Sequence, residues 1–208
     1  MGCTGVVLAG GGATRYAGRP KGLELVGGLR IIDRVAAALR ECTDDLLLIA
    51  NDPAAGAWLP DVRTAGDVLI GSGSIAGIHA ALTHVGGPVL VVAWDMPFVP
   101  AALLRALRAT AEREGSDVTA PESGSRRGLE PMCAYYAPAC GAAIERAVAR
   151  GDRRVVAFFD DVRVTRLPAD EVARCGDPAH IFMNVNTPED LALAERIAAT
   201  AAAHDRRP

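Results

Sequence analysis

The chain has 208 residues, half of them apolar and just under a quarter charged, which is typical of a soluble globular protein with a substantial core. The formal net charge of -3 gives no sign of a nucleic-acid-binding coat or a membrane-surface patch, since both need an excess of basic residues. The five cysteines include no C-x-x-C pair, which argues against a zinc ribbon or a disulfide framework and suits a reducing cytosol.

Short apolar runs alternate along the chain with longer segments of helical periodicity. The strands expected from these runs are Gly5–Ala9, Leu46–Ala50, Pro88–Ala93, Asp117–Ala120, Met132–Tyr136 and Val162–Leu167. The expected helices are Ile32–Glu41, Ile75–Val85, Ala101–Glu114, Ala139–Arg150 and Pro188–Ala203. This alternation predicts an α/β fold, with a mostly parallel Rossmann-like sheet covered by helices on both faces in a three-layer α/β/α arrangement. No run reaches the roughly 18 apolar residues of a membrane span and no targeting segment is visible, so we expect a cytoplasmic protein.

A glycine run, Gly10–Gly12, follows the first expected strand. Ligands of such sheets lie outside the carboxyl ends of the strands, and glycines let backbone N–H groups approach a phosphate closely. Arg15 and Lys21 add two positive charges a few residues later. The spacing fits neither a G-x-G-x-x-G fingerprint, because Arg15 occupies the place of the third glycine, nor a Walker loop, because Gly22 follows Lys21. The segment predicts a polyphosphate-like ligand; the alternative is a simple chain turn with solvated cations.

Asp95 stands at the carboxyl end of another apolar strand, in the segment VLVVAWDMPF. A carboxylate there is costly to desolvate unless it has a cation partner. Magnesium is the natural candidate, because it is commonly held by one or two carboxylates together with substrate phosphates. The alternative is a helix-capping or turn aspartate before Pro97. Near the C-terminus, Thr187 and Pro188 predict a capped start of the last helix.

Five motifs, taken in order, resemble the molybdenum cofactor guanylyltransferase family of the nucleotidyltransferase superfamily, from Leu8 to about Leu191. They are LAGGxxxRxxGxxKG (Leu8 to Gly22), GSGSIAGI (Gly71 to Ile78), WDMPF (Trp94 to Phe98), GDRRV (Gly151 to Val155) and NVNTPED (Asn184 to Asp190). The resemblance implies the glycosyltransferase-A-like nucleotidyltransferase fold over a single domain, residues 1–208, with a GTP-binding N-terminal part and a pterin-binding C-terminal part. It also implies transfer of GMP from GTP to the phosphate of molybdopterin, with Mg²⁺ as cofactor and pyrophosphate as the second product.

The resemblance also implies site residues. Lys21, Asp95 and Arg15 are the expected catalytic residues, and Asp95 is also the expected metal ligand. The other positions expected to contact nucleotide or pterin are Leu8, Ala9, Gly10, Gly11, Gly18, Asn51, Asp67, Gly77, Arg153, Arg154, Asn184 and Asn186. We expect a monomer that binds neither nucleic acid nor membrane and passes its product to a molybdoenzyme or its chaperone.

Three departures from the family pattern stand out. Ala17 replaces the first of two adjacent glycines, and Trp94 stands where the family commonly carries Cys, either tightening the pocket or filling core. The loop from Ser123 to Glu130 has no confident counterpart and is assigned no role.

The expected reaction needs no general base, because a phosphate monoester already carries about -1.5 to -2 charge at neutral pH. Catalysis then depends on aligning two anions and neutralising their charge. A second anion site is expected at the start of the helix after Gly71, with capping by Ser74 as the alternative. Arg153 and Arg154 are expected on the pterin side, unless they belong to a solvated helix start. Asn184 and Asn186 lie two apart and can face one way toward metal or pterin, unless they only form a turn.

Two other functions compete with this interpretation. One is a related transferase that uses CTP or a sugar or lipid phosphate acceptor. The other is a non-catalytic protein that binds nucleotide or delivers cofactor, which the joint presence of Lys21 and Asp95 disfavours. The base preference follows from resemblance alone.

Overall fold

The computed structural model describes residues 2–10, 15–16, 19–69, 71, 73–125 and 128–205, with the backbone alone for 15, 16, 19 and 202–205. Its strands are β1 (Thr4–Ala9), β2 (Arg15–Tyr16), β3 (Arg19–Pro20), β4 (Leu25–Val26), β5 (Leu29–Arg30), β6 (Asp45–Ala50), β7 (Arg63–Ala65), β8 (Val89–Ala93), β9 (Val118–Pro121), β10 (Cys133–Tyr136) and β11 (Val164–Leu167). Its helices are α1 (Ile31–Arg40), α2 (Ser74–Val85), α3 (Ala101–Glu114), α4 (Cys140–Ala149), α5 (Ala169–Cys175), α6 (Pro178–Ile181) and α7 (Pro188–Asp205).

The central sheet has seven strands in the order β11-β9-β10-β8-β1-β6-β7. Strand β1 pairs in parallel with β6 and β8, β6 with β7, and β9 with β11. Strand β10 runs antiparallel to both of its neighbours, β8 and β9. The carboxyl ends of β1, β6, β7, β8 and β9 therefore meet at one edge of the sheet.

Alternate residues of the buried strands feed two cores on opposite faces of the sheet, as the two-residue period of a strand requires. Val7 and Leu48 pack with α1 and α3 on one face, while Leu8 and Leu47 pack with α2 and α4 on the other. The expected three-layer, mostly parallel α/β/α fold is thereby confirmed. None of the helices in the described part of the chain combines the length and the apolar character that crossing a bilayer requires.

A third, smaller core joins the two ends of the chain. Val26 of β4 and Ile31 pack against Val185 and against Ala194 and Ala198 of α7. The last helix thus packs against the β4–β5 hairpin. This hairpin follows the segment that carries Lys21. This packing brings the Asn184–Asn186 segment close to Lys21.

The six expected strands and five expected helices are all present, with ends within two residues of expectation. The sequence analysis missed β7, the short β2–β3 and β4–β5 hairpins, and helices α5 and α6. These elements are two to seven residues long, and α5 buries only Val172, so they carry little periodic apolar signal.

Candidate active site

The ends of β1 and β8 bring the first glycine segment and Asp95 to the same edge of the sheet. The backbone N–H of Trp94 donates to the carbonyl of Leu8 over 3.2 Å, so the two strands stay hydrogen-bonded up to the residue before Asp95. Gly10 is exposed, and a side chain added there would point into open space. Gly10, the first glycine of the run, therefore lies at the same edge of the sheet as Asp95.

Lys21, Asp95 and Asn186 form one cluster at this edge. The ammonium Nζ of Lys21 donates to Asp95 Oδ2 and to Asn186 Oδ1, both over 2.6 Å. Lys21 is 8 % exposed and Asp95 is 7 % exposed. The Lys21 charge is therefore not solvated. Asp95 lies in a turn after β8, as its alternative expected, and its side chain is also the partner of the Lys21 ammonium. Each charge offsets the desolvation of the other, because a buried ion needs a paired partner.

The Asn186 segment is anchored from both sides. The N–H of Val185 donates to the carbonyl of Asp95 over 2.9 Å. Asp190 accepts the N–H groups of Asn186 and Thr187, while Thr187 Oγ1 accepts the N–H of Asp190 over 3.1 Å. This reciprocal arrangement is a capping box at the start of α7, and it confirms the cap expected at Thr187. The accepted backbone bonds hold the pKa of Asp190 below its ordinary value.

Asn51 and Asp67 pair at the carboxyl ends of β6 and β7. Asn51 Nδ2 donates to Asp67 Oδ2 over 2.7 Å, and the N–H of Asp67 donates to Asn51 Oδ1 over 2.8 Å. The reciprocal bonds fix two polar side chains at this edge of the sheet, two strands (Asn51) and three strands (Asp67) away from β8, which precedes Asp95. Because they lie at the edge that carries the Lys21 cluster, both expected nucleotide-pocket residues belong to the same open face.

The sequence profile of the MobA-like NTP transferase domain matches residues 5–167, which is well over half of the chain. The chain belongs to the MobA-like NTP transferase family. This finding confirms the resemblance seen in the sequence and makes the protein a nucleotidyltransferase.

Individual relatives align with this transferase over nearly the whole length of both chains. The molybdenum cofactor guanylyltransferase of Desulfosudis oleivorans is 34 % identical over 195 residues, covering 92 % of this chain and 94 % of that protein. The solved structure of molybdopterin-guanine dinucleotide biosynthesis protein A from Archaeoglobus fulgidus is 31 % identical, with a TM-score of 0.80 over 95 % of this chain and 99 % of that one. The manganese complex of Rv0371c from Mycobacterium tuberculosis is 21 % identical, with a TM-score of 0.62 over 94 % and 98 % of the two chains, and shares the fold.

Other expected contact residues of the transferase have packing roles in the structure. Leu8 is buried against α2, and a side chain at Gly77 would overlap the Cδ1 atom of Leu8. Glycine at 77 therefore lets α2 approach β1 closely. Ser74 is the first residue of α2, and the helix has no side-chain cap, so the capping alternative for Ser74 is wrong. Ala9 is also buried, in the core on the other face of the sheet.

The two arginines after α4 differ in their surroundings. Arg153 is exposed and donates to the carbonyl of Gly71 over 3.2 Å, beside the start of α2. Arg154 forms two-pronged bonds with Asp152 and, through them, lowers the pKa of Asp152 to about 2. Both arginines are exposed and lie in an irregular segment before a turn at residues 155–158, not at a helix start. Arg153 is therefore placed to meet an anion near α2, while the charge of Arg154 is already balanced.

Asn184 turns back on its own segment, where Nδ2 donates to the carbonyl of Phe182 over 3.0 Å. The backbone at Asn184 and Asn186 forms no turn, which contradicts the turn-forming alternative, and Asn186 reaches the Lys21 cluster. Trp94 is 1 % exposed and stacks on Trp58 with 5.1 Å between ring centroids, so it fills core directly beside Asp95. Gly11, Gly12, Ala17, Gly18 and Ser72 lie outside the described residues, as does the side chain of Arg15.

One sequence signal for the site went unused. Lys21 is the single lysine of the chain, beside 21 arginines. Every other Lys or Arg position in the chain is arginine, and the one lysine stands where a compact ammonium is buried between two oxygens. That contrast alone marks Lys21 as a special position.

Proposed function

We propose that the protein transfers GMP from GTP to the terminal phosphate of molybdopterin, forming the guanine dinucleotide cofactor and releasing pyrophosphate. The observation that carries this proposal is the buried Lys21–Asp95–Asn186 cluster beside the glycine segment at the carboxyl edge of the sheet. The guanylyltransferase named among its relatives supports the choice of GTP and of the pterin acceptor.

The order of the strands separates two halves of the site. Asn51 and Asp67 follow β6 and β7 on one side of β8, which carries Asp95 at its end. On the other side, the loop after β9 borders a cavity of about 460 Å³. Its lining includes Glu122, Ser123, Gly124, Gly128, Arg166 and Phe182. We assign the first side to the nucleotide and the second to the pterin, which agrees with the expected division into N-terminal and C-terminal parts.

The residues at the cluster fit a hard divalent cation. Asp95 offers a carboxylate and Asn186 an amide oxygen, and magnesium commonly takes one or two carboxylates plus substrate phosphates. The manganese complex of the M. tuberculosis structural neighbour supports a divalent ion in this fold. Asp95 is the proposed ligand of Mg²⁺, which when bound neutralises charge on the triphosphate. Among the described residues, no group of three or more His, Cys, Asp or Glu side chains is arranged to hold a metal ion.

The chain's own residues supply position and charge. Backbone N–H groups of the glycine segment and the ammonium of Lys21 bind the triphosphate, with Arg15 beside them in sequence. The pterin phosphate attacks the α-phosphorus, a new P–O bond forms, and the bond to the β-phosphate oxygen breaks as pyrophosphate leaves. Like charges about 4 Å apart repel by roughly 4 kcal/mol per pair at an effective dielectric of 20, so these cations must offset several such pairs.

The decisive experiment measures pyrophosphate release with GTP, CTP and ATP, each with and without Mg²⁺ and the pterin acceptor. We expect release only with GTP, Mg²⁺ and acceptor together. Release with CTP instead would support the related transferase. GTP binding without metal-dependent release would support a delivery protein.

The proposal also takes the protein as a cytoplasmic monomer that hands its product to a molybdoenzyme or its chaperone. Size-exclusion chromatography with light scattering tests the monomer. A pull-down with a molybdoenzyme lacking its cofactor tests the handover.

A further inference from the structure

Gly22, next to Lys21, lies against the indole of Trp94. A methyl group on Gly22 would overlap Cε3 of that ring and would lie 2.7 Å from Cδ2 and 3.1 Å from Cζ3. The backbone of Gly22 lies outside the left-handed region, so its conformation does not require glycine. The close approach of the ring does.

Trp94 is itself fixed in place. It is 1 % exposed and stacks on Trp58, with ring planes 20° apart. Its backbone N–H donates to the carbonyl of Leu8. Its indole Nε1 has no hydrogen-bond partner in the part of the chain that the structure describes. A buried N–H group without a hydrogen-bond partner costs free energy. The Trp94 ring is therefore held in place by packing against Trp58 and not by a polar contact of its indole.

Two neighbouring residues of one loop thus rest on two neighbouring residues of another. The side chain of Lys21 reaches Asp95, and the backbone of Gly22 rests on Trp94. The Lys21 carbonyl also accepts the N–H of Glu24 over 3.1 Å, which closes a tight turn over Lys21–Leu23. Because Gly22 and Lys21 belong to the same hydrogen-bonded turn, the height of Gly22 above the indole bears directly on the position of the Lys21 Cα.

We propose that Trp94, backed by Trp58 and in contact with Gly22, is a positioning residue that sets the place of the Lys21 ammonium relative to Asp95. Its effect on turnover rests on the proposed function. Its effect on Lys21 does not, because the geometry exists in the free protein. Misplacing a catalytic group by about 1 Å can lower the rate by about 10²-fold.

The test combines NMR with kinetics on Gly22→Ala. Since the chain has one lysine, protein labelled with ¹³C-lysine gives a single Hε–Cε signal that reports on Lys21 alone. We expect Gly22→Ala to move this signal toward that of a solvated lysine and to lower kcat/KM for GTP at least tenfold.

Gly5→Ala is the matched control. A methyl at Gly5 would lie 2.6 Å from Leu46 Cδ2 and 2.8 Å from Thr43 Oγ1, a similar overlap at the amino end of β1. It should lower the melting temperature in the same way, yet leave the Lys21 signal in place and change kcat/KM less than twofold.

A double substitution isolates the ring. Trp94→Ala should itself shift the Lys21 signal and lower kcat/KM, and Gly22→Ala should add nothing further in that background. An equal effect of Gly22→Ala with and without the indole would overturn the proposal, as would an unmoved Lys21 signal in both single variants. Absence of pyrophosphate release by the unsubstituted protein would overturn the proposed function instead, and the NMR result would still decide the role of Trp94.

Discussion

At the scale of the residue, the geometry around Lys21 favours an ammonium over a guanidinium. Nζ of Lys21 sits 2.6 Å from two oxygens in a space that is 8 % exposed. A guanidinium is larger, planar and directional, whereas an ammonium is a compact charge with three donors. The 21 arginines of the chain show that positive charge alone does not explain a lysine here.

Lys21→Arg should therefore keep the charge and lose the function. We expect kcat/KM for GTP to fall by about 10²-fold, the scale of a 1 Å misplacement, in steady-state assays of pyrophosphate release. Arg196→Lys on α7 is the control, because that exchange preserves charge away from the cluster and should leave kcat/KM within twofold. Near-normal turnover of Lys21→Arg would show that the site needs only a charge.

The ion pair of Lys21 and Asp95 should also contribute to folding. Removing one partner of a buried pair typically costs about 3–5 kcal/mol, because the other charge stays buried and uncompensated. We expect Lys21→Met and Asp95→Leu each to lower the free energy of unfolding by about this amount in urea titrations. The fold should survive either change as long as the starting stability exceeds this cost, which holds over most of the usual range of about 5–15 kcal/mol.

The double variant Lys21→Met/Asp95→Leu distinguishes lost pairing from lost packing. With neither charge present, most of the stability should return, while turnover stays abolished. Singles that cost under about 1 kcal/mol would place the pair in a solvated setting, contrary to its burial.

The sequence was sufficient to find Lys21 and Asp95, because both stand in recognisable places relative to buried strands. It was not sufficient to pair them with Asn186, which lies 165 residues away from Lys21 along the chain. That contact depends on α7 packing against the β4–β5 hairpin, and neither two-residue strand of the hairpin carries a readable apolar pattern. The support of Lys21 by Trp94 likewise depends on a ring meeting a backbone, which no residue spacing records.

At the scale of the element, the start of α7 couples helix capping to the site. Asp190 accepts the N–H of Asn186 over 3.0 Å and that of Thr187 over 2.9 Å, and Asn186 in turn holds Lys21. A capping residue normally stabilises only its helix. Here the same bonds also fix the amide oxygen that the ammonium needs.

Asp190→Ala should therefore show two effects. Loss of the Asp190 half of the capping box should lower the free energy of unfolding by about 1 kcal/mol, the scale of a capping interaction, and the freed Asn186 should raise KM for GTP. Asp170→Ala, which removes a first-turn acid of α5 that pairs with Arg174, is the control and should leave KM unchanged. An unchanged KM in Asp190→Ala would show that the hydrogen bonds of Asp190 do not position Asn186 for the Lys21 cluster.

The Asp190 effect has a definite pH dependence. Its pKa is lowered in the folded protein, so its contribution to stability is complete above the ordinary aspartate pKa of about 3.9. It is lost as the pH falls through the lower folded-state value. The stability difference between the unsubstituted protein and Asp190→Ala should thus shrink below about pH 4, and chemical denaturation at pH 7 and pH 3 checks this.

At the scale of the whole molecule, the order of the strands is what turns separate motifs into one site. Continuous apolar runs predicted β1, β6 and β8 within a residue of their ends, since strands buried on both faces must be apolar throughout. The order β7-β6-β1-β8-β10-β9-β11 arises from crossover connections and from β10 running antiparallel. Alternation of elements gives the fold class, but it does not reveal which strands lie beside Asp95.

The buried thiols should lower the stability of the folded protein at alkaline pH. Cys3, Cys133 and Cys140 are each 2 % exposed or less. Burial raises the pKa of Cys3 from 9.0 to about 11 and that of Cys140 to about 12, and it raises the pKa of Cys133 as well. Because the folded-state pKa lies above the unfolded one, this contribution is complete below pH 9 and is lost as the pH rises toward the folded values.

We expect the free energy of unfolding to fall above pH 9, by about 1.4 kcal/mol per buried thiol for each further pH unit. Urea titrations at pH 7.5, 9 and 10 measure this slope, and Cys133→Ala should reduce it by about a third, since one of three ionising thiols is gone. The same burial should leave the half-buried Cys42 and Cys175 as the thiols that react first with Ellman's reagent in the native protein, because only the thiolate attacks. Rapid reaction of all five cysteines in the native protein, or a stability that is flat between pH 9 and pH 10, would contradict a core that keeps these thiols protonated.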